Sequence, residues 1–346
     1  MMKWKTLLTV LCFSLCVSIL PIAKAAALDT VKPKLTLRLE TKEAAVGQEI
    51  SIVVKGEQLK DLYGYELKLK YNEAKLKFKS AAAKWKGMPV TPDHKNGVIT
   101  FAHTKIGAST KGENGTADIA TFVFEGKANG VAAIEIAEAK LVDSEIMPVQ
   151  LKNAARTFIQ VASASAIAFK DTKGHWAEAA INRAASLTIV NGYENGAFQA
   201  NAQVTRAQFA AMLMRALDAG LDPAGSARYK DAGQFPAWAR PFIESASRTG
   251  IITGYEDGTF RSERLITREE MAVMIMRASG DSLDAASVPA FADEARIAAW
   301  AKPAVDQAAK LGLVKGRGNN RFEPAAHATR AEAVTMILSL IDHLNK

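Results

Sequence analysis

Apolar and polar positions alternate with period two through the first half of the chain. Leu35, Leu37 and Leu39 alternate with Lys34, Thr36 and Arg38, and Ile50, Ile52 and Val54 repeat the pattern. Tyr65, Leu67, Leu69 and Tyr71 alternate with Glu66, Lys68 and Lys70. Such alternation buries one face of a strand and wets the other. Further strands are predicted at Leu76–Phe78, Val98–Phe101, Ile119–Phe124, Val131–Ile136 and Thr157–Val161. Asn96-Gly97, Asn114-Gly115 and Asn129-Gly130 read as the turns between them. Eight or nine short strands of this kind predict an all-β sandwich over 28–160.

After a short Ala/Ser segment at 161–168, read as a linker, the period changes to that of helices, and the pattern itself repeats. Thr205-Arg206-Ala207-Gln208, Thr267-Arg268-Glu269-Glu270 and Thr329-Arg330-Ala331-Glu332 are spaced by 62 residues (267 − 205 and 329 − 267). Trp176, Trp238 and Trp300 keep the same step, as do Gly192, Gly254 and Gly316 and Phe198, Phe260 and Phe322. One step shared by unrelated residue types is an internal repeat. Its units are 169–222, 229–283 and 291–344.

Each unit reads as helix, loop, helix. Trp-Ala begins the first helix, with buried stripes expected at Trp176, Ile181, Ala184 and Leu187 and at Trp300, Ala304, Ala308 and Leu311. Gly250 and Gly312 end it in the second and third units. The threonine begins the second helix, and Gln208, Glu270 or Glu332 three residues later completes a capping box. One helical pair cannot bury its own faces. Three pairs can, which predicts an all-α pseudo-threefold unit.

Residues 1–25 have the pattern of a secretory signal: Lys3 and Lys5, an apolar run from Leu7 to Leu20, then Ala23-Lys24-Ala25. Both cysteines, Cys12 and Cys16, lie within it, so the remainder offers no disulfide or thiolate. The formal charge of +8 falls to +5 without the leader's three lysines (44 − 3 = 41 basic against 36 acidic). The lysines of 60–86 are interspersed with acids and read as the wet face of strands, not a nucleic-acid surface. No later segment is apolar enough to span a bilayer. These features predict an exported protein, soluble or wall-associated, with no nucleic-acid partner; the cell-surface location follows from the resemblance given below.

No Gly-x-Ser-x-Gly elbow, His-Glu-x-x-His helix or phosphate loop occurs, and the five histidines lack metal-ligand spacing. The chain reads as non-catalytic, without cofactor or metal. The repeated arginines stand out instead. Arg206, Arg268 and Arg330 fall at the first helical position, where a cation opposes the helix dipole. A partner anion is implied, either an acid of the repeats or an external ligand, and both readings stand.

The order aromatic-x-Asp, Trp-Ala, Gly-Tyr-x-x-Gly-x-Phe and Thr-Arg-Ala-Glu, met three times across 168–340, resembles S-layer homology domains. That resemblance implies a three-pronged helical unit that binds secondary cell wall polysaccharide, with grooves between repeats taking a pyruvate-bearing sugar. It places ligand contacts on Asp171, Asp231 and Asp293, on Trp176, Trp238 and Trp300, on Gly192, Gly254 and Gly316, and on Arg206, Arg268 and Arg330. Upstream, Leu62-Tyr63-Gly64-Tyr65 through Tyr71-Asn72, with Gly115–Phe124 and Ala139–Asp143, resembles a cohesin domain. That family is a jelly-roll sandwich that binds dockerin modules of other secreted proteins.

The implied protein is a wall-anchored adaptor whose sandwich presents a dockerin-binding face. A carbohydrate-binding sandwich would show a row of exposed aromatics. A structural surface-layer component would assemble into lattices. Within the repeats, Gln208 replaces Glu, and repeat three reads Gly316-Arg317-Gly318-Asn319-Asn320-Arg321-Phe322, without the loop tyrosine. On the ligand reading, Arg268→Ala binds weakly while melting close to wild type. Arg330→Ala has a smaller effect, because repeat three carries the altered loop.

Overall fold

The computed structural model describes residues 32–107, 110–163, 167–221, 228–283 and 291–346. The leader expected at 1–25 and residues 164–166 of the expected linker lie outside them. Among the described residues ten strands form the first half: β1 (Lys34–Leu39), β2 (Glu43–Ala45), β3 (Glu49–Tyr71), β4 (Leu76–Ala83), β5 (Met88–Pro89), β6 (Asp93–Lys95), β7 (Val98–Thr104), β8 (Glu113–Gly126), β9 (Gly130–Asp143) and β10 (Pro148–Ala162). Among the described residues six α-helices follow, α1 (Glu178–Ser186), α2 (Arg206–Ala216), α3 (Arg240–Arg248), α4 (Arg268–Ser279), α5 (Lys302–Lys310) and α6 (Arg330–Leu344), with short 3-10 turns at Ala232–Gln234 and Glu294–Arg296.

The two strands read at 50–54 and 65–71 are one continuous element, β3. Its first half pairs β1 and β8, and its second half pairs β7 and β9. Register breaks between Val54 and Leu62, with left-handed Gln58 and Asp61, let β3 pass from one layer to the other. One layer is therefore β1, β3, β8 and β4. The other runs β2-β10-β9-β3-β7, with β5 and β6 at the far edge. Ile52, Leu67, Phe101, Phe122 and Ile134 fill the space between them. Asn96-Gly97 makes the expected tight turn, both residues at positive φ. Asn114-Gly115 does not turn the chain: it lies within β8, where Gly115 pairs with Leu59 across an irregular register.

In the repeats all three capping boxes form: Thr205 with Gln208, Thr267 with Glu270 and Thr329 with Glu332. The first helices begin two residues after each tryptophan, so the tryptophans belong to the preceding turn. Ala177, Ala239 and Ala301 are buried there instead, and the tryptophan rings face solvent. The expected stripes thus lose their first member. Gly250 and Gly312 are left-handed as a helix stop requires, and Thr188 takes that conformation in repeat one. The repeats are not joined by helix packing alone. Antiparallel bridges pair Thr205 with Leu265, Thr267 with His327 and Gln203 with Thr329, linking repeat one to two, two to three and three to one.

The two halves also pack on each other. Val131 of β9 and Phe158 of β10 belong to the repeats' apolar core. Asp218, just past α2 and itself left-handed, accepts from Asn72 Nδ2 (2.9 Å), Lys75 Nζ (2.6 Å) and the Ala133 N–H (3.0 Å). Asn345 exchanges two hydrogen bonds with the backbone of Phe158, and Arg183 of α1 bonds Glu43 of β2.

Candidate functional site

The loop of each repeat is braced by its opening acid. Asp171 accepts the N–H groups of Phe198 and Gln199, both at 2.7 Å. Asp231 does so for Phe260 and Arg261, and Asp293 for Phe322 and Glu323. Those backbone donors hold the Asp171 carboxyl below the usual range. Burial opposes the same effect at Asp293, yet the donors still leave it lowered. Each acid thus uses both oxygens within its own repeat, fixing a turn in which Gln199, Arg261 and Glu323 are left-handed.

The repeated glycines answer to packing. A Cβ on Gly192 would lie 2.4 Å from the Phe169 ring, and one on Gly254 would lie 2.5 Å from the Tyr229 ring. At Gly316 the obstacle is the Arg321 carbonyl, at 2.7 Å. In the first two repeats the opening aromatic, and in the third the backbone of the loop itself, leaves no room for a side chain.

The arginines are buried, with exposures of 3% (Arg206), 2% (Arg268) and 8% (Arg330). Each reaches into the next repeat in cyclic order. Arg206 Nε donates to the Phe260 carbonyl, Arg268 Nε to that of Phe322 and Arg330 Nε to that of Phe198. The capping-box acid of that next repeat supplies the counter-charge. Arg268 meets Glu332 at 2.6 Å, and Arg206 meets Glu270 at 3.5 Å. For Arg330 the corresponding residue is Gln208, and among the described residues Arg330 has no ion pair. It lies over the rings of Tyr193 and Phe198 and donates to the Asn191 carbonyl. Burial pushes all three guanidinium groups downward from their ordinary value.

Three cavities result, and each is lined by all three repeats. The loop and second helix of one repeat form the floor, the tryptophan of the next forms a wall, and the arginine of the preceding one closes the back. The repeat-two cavity, about 510 Å³, gathers Gly254, Tyr255, Glu270, Trp300 and Arg206. The repeat-three cavity, about 960 Å³, gathers Gly316, Arg317, Glu332, Trp176 and Arg268. The repeat-one cavity is about 120 Å³, with Gln208, Arg215, Trp238 and Arg330. The tryptophans are 50–65% exposed. The altered loop of repeat three therefore shares a cavity with Arg268. The expected smaller effect of Arg330→Ala is tied to this loop, which the structure places beside Arg268, because each arginine reaches into the loop of the following repeat.

Tyrosine, arginine and the capping acids form a second set that the motifs did not mark. Tyr255 Oη donates to Glu270 at 2.6 Å. Arg317, in the tyrosine's place, makes two 2.6 Å bonds to Glu332 and shares it with Arg268. The capping spacing could have pointed to these acids, but it explained them locally. Among the described residues no cluster of His, Cys, Asp and Glu could hold a metal. Among them, too, no helix is long and apolar enough to cross a membrane.

On the sandwich, the registers of β3, β7, β9 and β5 align Val142, Gly64, Thr104 and Met88 in one outward row. Lys140, Glu66 and Ala102 form the next row. A depression of about 880 Å³ lies over them. Met88, Val90 and Ile146 at its margin are 57–79% exposed.

The cohesin domain pattern matches residues 35–161, and the S-layer homology domain pattern matches 168–210, 228–272 and 290–334. The amylopullulanase of Thermoanaerobacterium thermosulfurigenes is 38% identical over 182 residues, covering 50% of this chain and 9% of that protein. The cellulosome-anchoring protein of Acetivibrio thermocellus is 36% identical over 118 residues, covering 33% of this chain and 26% of that protein. A type II cohesin domain from the cellulosome of Acetivibrio cellulolyticus superposes with a TM-score of 0.31 at 14% identity, over 37% of this chain and 95% of that one. The chain spans a small part of the curated relatives it matches. It is a secreted, cell-surface or wall-associated protein built from a cohesin domain followed by three S-layer homology domains.

Proposed function

We propose that this protein is a non-catalytic surface adaptor. Its repeats close as a pseudo-threefold unit and hold secondary cell wall polysaccharide, probed best in pyruvylated form, in the cavities between them. Its sandwich captures a dockerin-bearing secreted protein. The observation that carries the wall reading is the placement of an exposed tryptophan opposite a buried arginine in each cavity. A flat indole face suits a sugar ring, and a guanidinium suits a carboxylate. The twelve motif residues divide within this reading. The tryptophans and arginines face ligand, whereas Asp171, Asp231, Asp293 and Gly192, Gly254, Gly316 shape the loops that receive it.

For the sandwich, the outward face offers methionine and aliphatic side chains beside Glu66 and Lys140. The most exposed large apolar side chains of the described sandwich include no aromatic. A mixed face of this kind suits a protein surface better than a row of sugar rings.

Because the halves share a core, the test uses the whole mature chain. It should sediment with purified wall sacculi and lose that affinity once the secondary polymer is stripped. Equal binding to stripped walls would overturn the polymer reading. Met88→Asp with Ile146→Asp should abolish capture of dockerin modules without altering sedimentation. Binding of cellulose or chitin in place of every dockerin tried would make the sandwich a carbohydrate-binding module. Assembly of the chain into sheets would favour a structural surface-layer component.

A further inference from the structure

The cyclic pairing of arginine with the next repeat's capping acid is broken once. Arg206 has Glu270 and Arg268 has Glu332, but Arg330 faces a repeat whose capping residue is Gln208. The amide completes the capping box as well as a carboxylate does. The Thr205 N–H donates to Gln208 Oε1 at 3.1 Å, and the Gln208 N–H donates to Thr205 Oγ1 at 3.2 Å. The exchange therefore keeps the capping hydrogen bonds, while the buried guanidinium loses the direct ion pair that the other two arginines have.

Arg330 is 8% exposed, and among the described residues its hydrogen bonds go to the carbonyls of Phe198 and Asn191. A second cation, Arg215, lines the same cavity. It lies over the Phe242 ring at 4.9 Å and, like Arg330, has no carboxylate partner among the described residues. Two cations and no acid thus line a space of about 120 Å³. The repeat-two cavity, by contrast, is lined by Arg206, Arg261 and Arg277 against Glu256, Asp257 and Glu270. Asp171 acts on Arg330 by its charge without forming an ion pair; a buried charge so weakly compensated is costly, and an entering anion relieves that cost. The volume admits one small anionic group and leaves a sugar ring outside, against Trp238.

We propose that Gln208 is a specificity-determining residue. By withholding the carboxylate found in the other two repeats, it makes the repeat-one cavity a receptor for a single carboxylate- or phosphate-sized anion, held by Arg330 and Arg215. This rests on the reading of the cavities as ligand sites and ranks the smallest of them first for anion affinity.

The test titrates the mature chain separately with pyruvate and with inorganic phosphate, following the Arg330 Nε–H resonance, which is assigned by its loss in Arg330→Lys. The anion that shifts it more strongly identifies the source chemistry. Gln208→Glu, a near-isosteric change, should weaken the response at least tenfold. Glu270→Gln should strengthen the weaker response at Arg206. Both variants should fold, since amide and acid serve the capping box alike. No shift with either anion, or an unchanged affinity in Gln208→Glu, overturns the proposal. Sacculus binding measured on the same samples separates this result from failure of the wall reading. Retained sedimentation with an unchanged Gln208→Glu response sinks only the role of Gln208. Lost wild-type sedimentation sinks the wall reading, and the anion titration still decides this site.

Discussion

Arg268 and Arg330 occupy the same place in successive copies of one motif, and their surroundings differ in kind. Arg268 is enclosed by Glu332 and by the carbonyls of Phe322 and Lys315, and it shares Glu332 with Arg317. Arg330 keeps two carbonyls, of Phe198 and Asn191, and has no ion pair among the described residues. Their own motifs do not explain this, since each is Thr-Arg followed by a capping acid. The chemistry of an arginine here is set by the following repeat. A departure such as Gln208 is therefore felt not in its own helix but by Arg330.

The sharpest way to break this comparison is Arg268→Ala. The sequence alone suggested a variant that melts close to wild type. The geometry predicts a loss of about 3 kcal/mol, because a buried pair loses one member. Arg317 remains on Glu332 and keeps the cost at the low end. Chemical denaturation of the whole chain measures it, and a midpoint within error of wild type would refute the structural role.

Glu332→Gln comes next, through its pH dependence. Burial raises the Glu332 carboxyl, but the Arg317 bonds, the Thr329 N–H and the Arg268 charge outweigh it and leave it lowered. A carboxyl lowered by folding stabilises above its unfolded value, near 4.3, and loses that contribution as pH falls through the folded value. Wild type should therefore lose stability below about pH 4. Glu332→Gln should start lower at pH 7 and fall less steeply on acidification. Parallel profiles would show that the shared carboxylate contributes no pH dependence.

Arg330→Ala should cost about 1–2 kcal/mol, the worth of charged hydrogen bonds to two carbonyls without an ion pair. A loss equal to that of Arg268→Ala would mean that the acid is irrelevant to either arginine. The smallest stability effect belongs to Trp238→Ala and Trp300→Ala, expected within about 0.5 kcal/mol because the rings face solvent. Their sacculus affinity should nevertheless fall at least tenfold. Early melting would place these rings in the fold instead of the cavity wall.

Much of this architecture was legible because it is local. Period-two alternation found the strand faces, and the Thr-x-x-Glu spacing found three helix starts, each formed as expected. The misreadings share a cause. Trp176, Trp238 and Trp300 fit a helical stripe by spacing, but the helices begin two residues later. Asn114-Gly115 carries turn chemistry, yet β8 absorbs it as an irregularity opposite Leu59. Gly192 was recognisable as essential, while its reason, the Phe169 ring, lies 23 residues earlier (192 − 169). The Ala/Ser stretch suggested separate halves, whereas Asp218 and Phe158 bind them together.

By itself the sequence determined the sandwich, the threefold repetition, the capping boxes and the residue types offered to a ligand. Each depends on hydrogen bonds or periodicity within a few residues, and those are written in adjacent positions. Only the tertiary structure decided which arginine meets which acid, which loop each arginine reaches, and that one arginine forms no ion pair among the described residues. Charge pairing in a buried site acts over a few ångströms in space. Arg268 and Glu332 are brought to 2.6 Å from 64 positions apart, and no local rule specifies which repeat will close against which.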